Sequence, residues 1–197
     1  KTNKVVVSVP TYHEAEKNWS SLGAVPSTAD FTDSLNAFRE AKNGAFILVS
    51  RVDGIDLPHD TCRIMVIDGV PGTSSLLERY QWEFLKMNNV HAVRVANRLA
   101  QLFGRINRGR NDYGVFLIEG RDLNIWLQKD RNLVLLPPLL QKQILLGRSV
   151  QDGLSLDNTD SVTQAIDSVL GREQTWLDHY EAEVKLGELD QDHVKRS

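Results

Sequence analysis

The chain is poor in cysteine, in long apolar runs and, over one stretch, in acid. A single cysteine, Cys62, leaves no internal disulfide and no cysteine-rich metal site. No apolar run is long enough to span a bilayer, and no signal-peptide pattern opens the sequence. An intracellular, cytoplasmic protein with no membrane partner is therefore expected. The first residue is Lys1 rather than Met, which suggests a fragment. His13, His59, His91, His179 and His193 show no metal-ligand spacing, so solvated or capping roles are expected. The glycine-rich G-x-x-x-x-G-K-[ST] loop that cradles phosphates is missing. Internal repeats and low-complexity segments are missing too. Between Phe84 and Asn111 there is neither Asp nor Glu, yet Lys86, Arg94, Arg98, Arg105, Arg108 and Arg110 all fall there.

What is present belongs to a soluble globular protein: 41% hydrophobic and 25% charged residues over a length of 197. That length suits one large domain, or one domain plus an appendage. The net charge of −3 is unevenly spread. Residues 152–197 hold 11 acids and 4 bases, hence −7, which leaves +4 on residues 1–151. A basic body with an acidic tail is compatible with nucleotide or nucleic-acid binding by the body.

Continuous apolar runs alternate with helical periodicity. Lys4–Val9, Ala45–Ser50, Arg63–Ile67 and Gly114–Ile118 read as buried strands. Gly23–Ser27 reads as a shorter strand, and Asn43-Gly44 as a turn. Pro10 ends the first strand. Thr11 then caps a helix to about Ser21, with Glu14 completing a capping box. Phe31, Leu35 and Phe38 mark a helix over Asp30–Ala41, and Tyr80–Met87 reads as another. Strands of this kind between amphipathic helices predict an α/β domain with a parallel sheet, whose ligands bind beyond the carboxyl ends of the strands. After about Asp122 the pattern becomes helical: Trp126-Leu127, Leu133–Leu140 broken by Pro137-Pro138, Gln141–Leu146, and a helix pair over Ser161–Tyr180 punctuated by Gly171. The last eight or so residues are polar and expected to fray.

One helix carries the densest chemistry. Val95, Leu99, Leu102 and Ile106 form an apolar stripe at helical spacing and predict a helix from about Ala92 to Phe103. Beside it run Arg94, Arg98, Gln101, Arg105 and Arg108. Forked guanidiniums are the best side chains for phosphate oxygens. An ordinary solvated or ion-paired face is the other reading, above all for Arg94 and Arg98. Gly104 either permits a close approach or ends the helix. The segment Ser50–Pro58 places Gly54 between Asp53 and Asp56 at a strand end, which fits a plain turn as well as a site. Asp68 ends an apolar strand with no Glu after it and reads as structural. Cys62 reads as buried and inert.

The spacing Q-x-x-G-R-x-x-R over Gln101–Arg108 resembles motif VI of superfamily 2 helicases. The Gly54-Ile55-Asp56 core, followed by Pro58 and an apolar strand, resembles motif V of the DinG/XPD-like branch. The first strand with Pro10-Thr11-Tyr12 resembles the opening of that branch's second motor domain. Asp112-Tyr113-Gly114, a strand, then Glu119-Gly120-Arg121 resembles its ending, with Glu119 where the family has Asp. Four motifs in order over residues 4–122 imply a RecA-like second motor domain over residues 1–122, with a helical extension over 123–197.

The resemblance implies that ATP and Mg²⁺ are held mainly by a separate N-terminal RecA-like domain. Arg105 and Arg108 would act on the γ-phosphate as arginine fingers, and Gln101 would position that phosphate or the attacking water. Gly54, Asp56 and Gly104 would line the nucleotide side. Thr11, then Ser27 and Thr28, would touch the backbone of single-stranded or duplex DNA, or of RNA. For Thr11 a helix-capping role stands equally. Two rival readings remain: a non-catalytic RecA-like module that binds a protein through its helical tail, and a duplex translocase of a restriction or defence system.

Overall fold

A computed structural model describes residues 3–23, 25–51, 57, 61–72, 76–106, 113–155 and 159–194, without the side chains of 79, 82 and 185–194. Four strands, β1 Asn3–Val9, β2 Asn43–Val49, β3 Ile64–Asp68 and β4 Val115–Glu119, pair in the order β2-β1-β3-β4, and every pairing is parallel. The fold is the α/β RecA-like one, with a helical C-terminal extension. Residues in register share a face of a sheet. Val6, Phe46, Met65 and Phe116 line up across all four strands on one face. There Phe46 meets Phe31 and Phe38 of helix α2 (Phe31–Glu40), with ring centroids 5.6 and 5.3 Å apart. Phe116 meets Phe103 of helix α4 (Asn88–Phe103) at 4.3 Å. The opposite face, Val7, Val9, Ile47, Val49 and Val66, packs on Ala15 and Trp19. Those two lie in a wide-turned segment, Ala15–Trp19, that continues the short helix α1 (Tyr12–Glu14).

Both faces are covered, which is why the strands read as unbroken apolar runs. Val6, Val7, Ile47 and Leu48 are fully buried. Lys4 is also buried; its Nζ donates to the Arg39 carbonyl at 2.9 Å and lies 5.2 Å from the Phe38 ring. Asp68 is structural: it accepts a 2.7 Å bond from Trp19 Nε1 and so ties β3 to the wide-turned segment. Cys62 is buried, and that burial pushes its thiol pKa up.

Two expectations fail here. Gly23–Ser27, apart from Ala24, which lies outside the described residues, forms no strand. Pro26 has no N–H for a ladder, and Gly23 crosses so closely over the Ala45 carbonyl that a Cβ would stand 2.7 Å from its oxygen. Asn43-Gly44 is no turn but the start of β2, because Asn3 and Lys4 extend the β1 ladder to meet it. The helices are also shifted. Helix α3 spans Leu76–Glu83, earlier than expected, and α4 starts at Asn88 rather than Ala92.

The chain forms two compact units, Lys1–Leu136 and Pro137–Ser197. Helices α5 (Arg121–Leu127) and α6 (Asp130–Leu133) fall in the first unit: α5 packs on β4 and α6 on α4. The second unit holds α7 (Pro138–Asp152), α8 (Thr159–Gly171) and α9 (Gln174–Val194). In it α9 contacts both α7 and α8, and Gln143 Nε2 donates to the Tyr180 hydroxyl at 2.9 Å. Helix α9 runs to Val194, beyond the expected onset of fraying; residues 195–197 lie outside the described set.

Candidate functional site

The apolar stripe of α4 does what its spacing requires. Val95, Leu99 and Leu102 are fully sealed from solvent and Ile106 nearly so, which fixes how the polar side of the helix faces. That side divides in two. Arg94 and Arg98 turn toward α3. Arg98 grips Glu78 with both Nη atoms, at 2.8 and 3.3 Å, while Arg94 donates to Gln81 Oε1 at 2.6 Å and lies 3.9 Å from Glu78. Gln101 stands exposed one turn later. Gly104 caps the helix with φ near −69°, its N–H returning to the Ala100 carbonyl. A Cβ there would meet that carbonyl oxygen at 3.4 Å, so Gly104 ends the helix rather than admitting a close neighbour.

Arg105 follows in the turn and is half-buried; its N–H bonds the Leu102 carbonyl. Next to it Ile106 packs against Gly114, which in turn lies against the Arg63 carbonyl, at the amino ends of β3 and β4. Gln101, Gly104 and Arg105 are thus brought together at the end of one buried helix. Arg108, Gly54 and Asp56, assigned from the sequence to the same site, lie outside the described residues.

The hydroxyls expected to meet nucleic acid lie at the other end of the sheet, after β1 and before α2. Thr11 and Ser27 share one geometry. Thr11 Oγ1 donates to Glu14 Oε2 at 2.7 Å and accepts from the Glu14 N–H at 3.2 Å. Ser27 Oγ donates to Asp30 Oδ2 at 2.6 Å and accepts from the Asp30 N–H at 3.2 Å. Thr11 thereby caps helix α1, whereas the Ser27–Asp30 pair closes the turn before α2, whose own N-cap, Asp30, makes no side-chain capping bond. The Tyr12 hydroxyl reaches the Pro26 carbonyl at 3.5 Å and draws the two loops together. Thr28, beside Ser27, is exposed.

Sequence reasoning missed two residues at this edge. Arg51 lies over the Phe31 ring, 4.3 Å from its centroid. Gly72 (φ +83°) lies so near Arg98 that a Cβ would overlap the guanidinium. The Gly that follows Pro71 was the one available signal. His91, at the start of α4, is half-buried, and burial lowers its pKa against the opposing pull of Glu78.

A covered parallel sheet with a Q-x-x-G-R helix end defines the class: a RecA-like motor domain. A family model described as the helicase C-terminal domain matches residues 3–123. The chain therefore belongs to that family, the C-terminal helicase domain of DinG/XPD-type superfamily 2 helicases. Among curated proteins nothing matches.

Proposed function

We propose that this chain is the C-terminal motor domain of an ATP-dependent nucleic-acid helicase, closing over ATP and Mg²⁺ held by a partner N-terminal domain. ATP supplies the reacting phosphoryl group when bound. The family match carries this reading, and the end of α4 supports its chemistry. Arg105 sits on a turn fixed by buried Leu102 and Ile106, so its fork is held by the fold. With Arg108 it stabilises charge on the transferring phosphoryl group. Gln101, exposed one turn earlier, orients the γ-phosphate or the water that attacks it. Gly104 ends the helix so that Arg105 can leave its axis, and Gly54 and Asp56 couple the nucleotide side to the nucleic acid.

Nucleic acid crosses the carboxyl edge beside Thr11, Ser27 and Thr28. The contacts are mainly to backbone, so binding is salt-sensitive and weakly sequence-specific. Because carboxylates hold the Thr11 and Ser27 protons, most of the charge that attracts phosphate comes from neighbouring cations.

A protein-docking role has one specific observation in its favour. Leu76, Leu77, Tyr80 and Phe84 point outward, 83%, 63%, 51% and 72% exposed, while Glu78 of the same helix is turned inward to Arg98. DNA-stimulated ATP hydrolysis by a protein carrying both motor domains separates the two. Its presence supports the motor; a folded protein with none supports the docking module.

A further inference from the structure

Two arginines and two serines converge where the strands end. Ser8 in β1 and Pro10 just after it, Ser50 and Arg51 after β2, Gly72 after β3 and Arg98 from α4 enclose a cavity of about 20 Å³. Three features hold it open. Arg98 is fixed end-on by Glu78, with its guanidinium against the bare Cα of Gly72. Arg51 lies over the Phe31 ring and makes no ion pair among the described residues. Ser50 is held at φ +52°, a left-handed conformation uncommon for serine, by its N–H bond to the Val9 carbonyl at 2.8 Å.

We propose that Arg51 and Arg98, with the Ser8 and Ser50 hydroxyls, form a seat for one phosphate oxygen of the nucleic-acid backbone. This rests on the reading that nucleic acid crosses this edge. The cavity's size favours the backbone over a free nucleotide: it has room for one water-sized oxygen, whereas small-molecule pockets enclose about 300 Å³ or more. Charge points to Arg51 as the attracting group. Arg98 is ion-paired to Glu78 and serves as an oriented donor, while Arg51 has no ion pair among the described residues. Position agrees: Pro10 borders Thr11, and Phe31 follows the Ser27–Asp30 turn, so Arg51 stands near both hydroxyl-bearing loops.

Fluorescence anisotropy of the 197-residue chain with labelled oligo(dT), over a salt series, tests the seat. Each phosphate contact on a single strand contributes about 0.7 to the slope of log affinity against log salt. Arg51→Ala is expected to reduce the slope by about that amount and to weaken binding about three- to tenfold near 0.1 M salt. Arg51→Lys should keep most of the slope. Gly72→Ala, with its fold checked by circular dichroism, leaves the formal charge unchanged but displaces Arg98, and should also weaken binding. If the wild-type chain binds oligo(dT) and both variants match it, the seat is wrong while the nucleic-acid reading stands. If the wild-type chain does not bind, both fall. If Arg51→Ala leaves oligo(dT) binding intact but weakens ATP binding by a protein that joins this chain to an N-terminal motor domain, the oxygen belongs to nucleotide and the proposal is overturned.

Discussion

Arg98 and Arg105 are the same residue type on one helix segment, and their surroundings give them different work. Arg98 faces Glu78, with only 26% and 17% of the two side chains exposed, so the pair is largely shielded from water. Replacing Glu78 with Gln leaves two guanidiniums facing a neutral amide. Hydrogen bonds to charged groups contribute about 1.5–3 kcal/mol, and urea unfolding should show a loss at the lower end of that range. Arg105 sits two turns on, past the helix cap, and its replacement should affect turnover rather than stability. Cys62 makes a pH prediction. Its raised pKa keeps the thiol neutral in the folded chain, so the stability it contributes is complete below the ordinary thiol pKa of about 8.5 and fades as pH rises through the folded value. Iodoacetamide at mildly alkaline pH should therefore label Cys62 only after denaturant is added, as read by mass spectrometry. Labelling of the native chain would contradict its burial.

Helix α4 was legible because its apolar stripe is regular, and the structure buries every member of it. Leu99→Ala should cost about 2–5 kcal/mol, read from the denaturant midpoint at unchanged slope. The start of α4 was not legible: Met87 precedes it, with no side-chain hydrogen bond to mark the boundary. Helix α3 misled more deeply. Its Leu76, Leu77 and Tyr80 face solvent and its Glu78 faces inward, the reverse of the usual amphipathic rule. The extra residues at the head of β2 could not be read either, since Asn43-Gly44 carries turn residues and only the ladder from Asn3 and Lys4 holds it extended. Gly114, part of the Asp-x-Gly motif, shows a packing constraint that the motif alone does not explain. A Cβ there would stand 2.6 Å from Ile106 Cγ2 and 3.1 Å from the Arg63 carbonyl. Gly114→Ala should therefore cost about 1–3 kcal/mol by overpacking, whereas Gly104→Ala meets only ordinary contacts. Equal melting temperatures for the two variants would refute that distinction.

At the scale of the whole molecule, four apolar runs and their order were enough to show an α/β sheet, because a sheet covered on both faces leaves little room for polar residues in its strands, while the family came from the resemblance of four short motifs. The site was legible as chemistry but not as geometry. Gln101, Gly104 and Arg105 follow from one motif, whereas the nearness of Arg51 to Arg98 depends on strand order, which joins residues far apart in the chain. The sheet separates the two functions proposed for this domain. The Arg105 turn packs at the amino ends of β3 and β4, and the nucleic-acid edge lies at the carboxyl ends of β1 and β2. On the proposed reading, the domain works against a partner that brings the phosphates. The most direct measurement is the ATPase rate with and without single-stranded DNA, in a protein that joins this chain to its N-terminal motor domain and in its Arg105→Ala variant. The account predicts DNA-stimulated hydrolysis that falls by roughly 10³–10⁵ in the variant while the melting temperature stays unchanged. Near-normal hydrolysis by Arg105→Ala would contradict it.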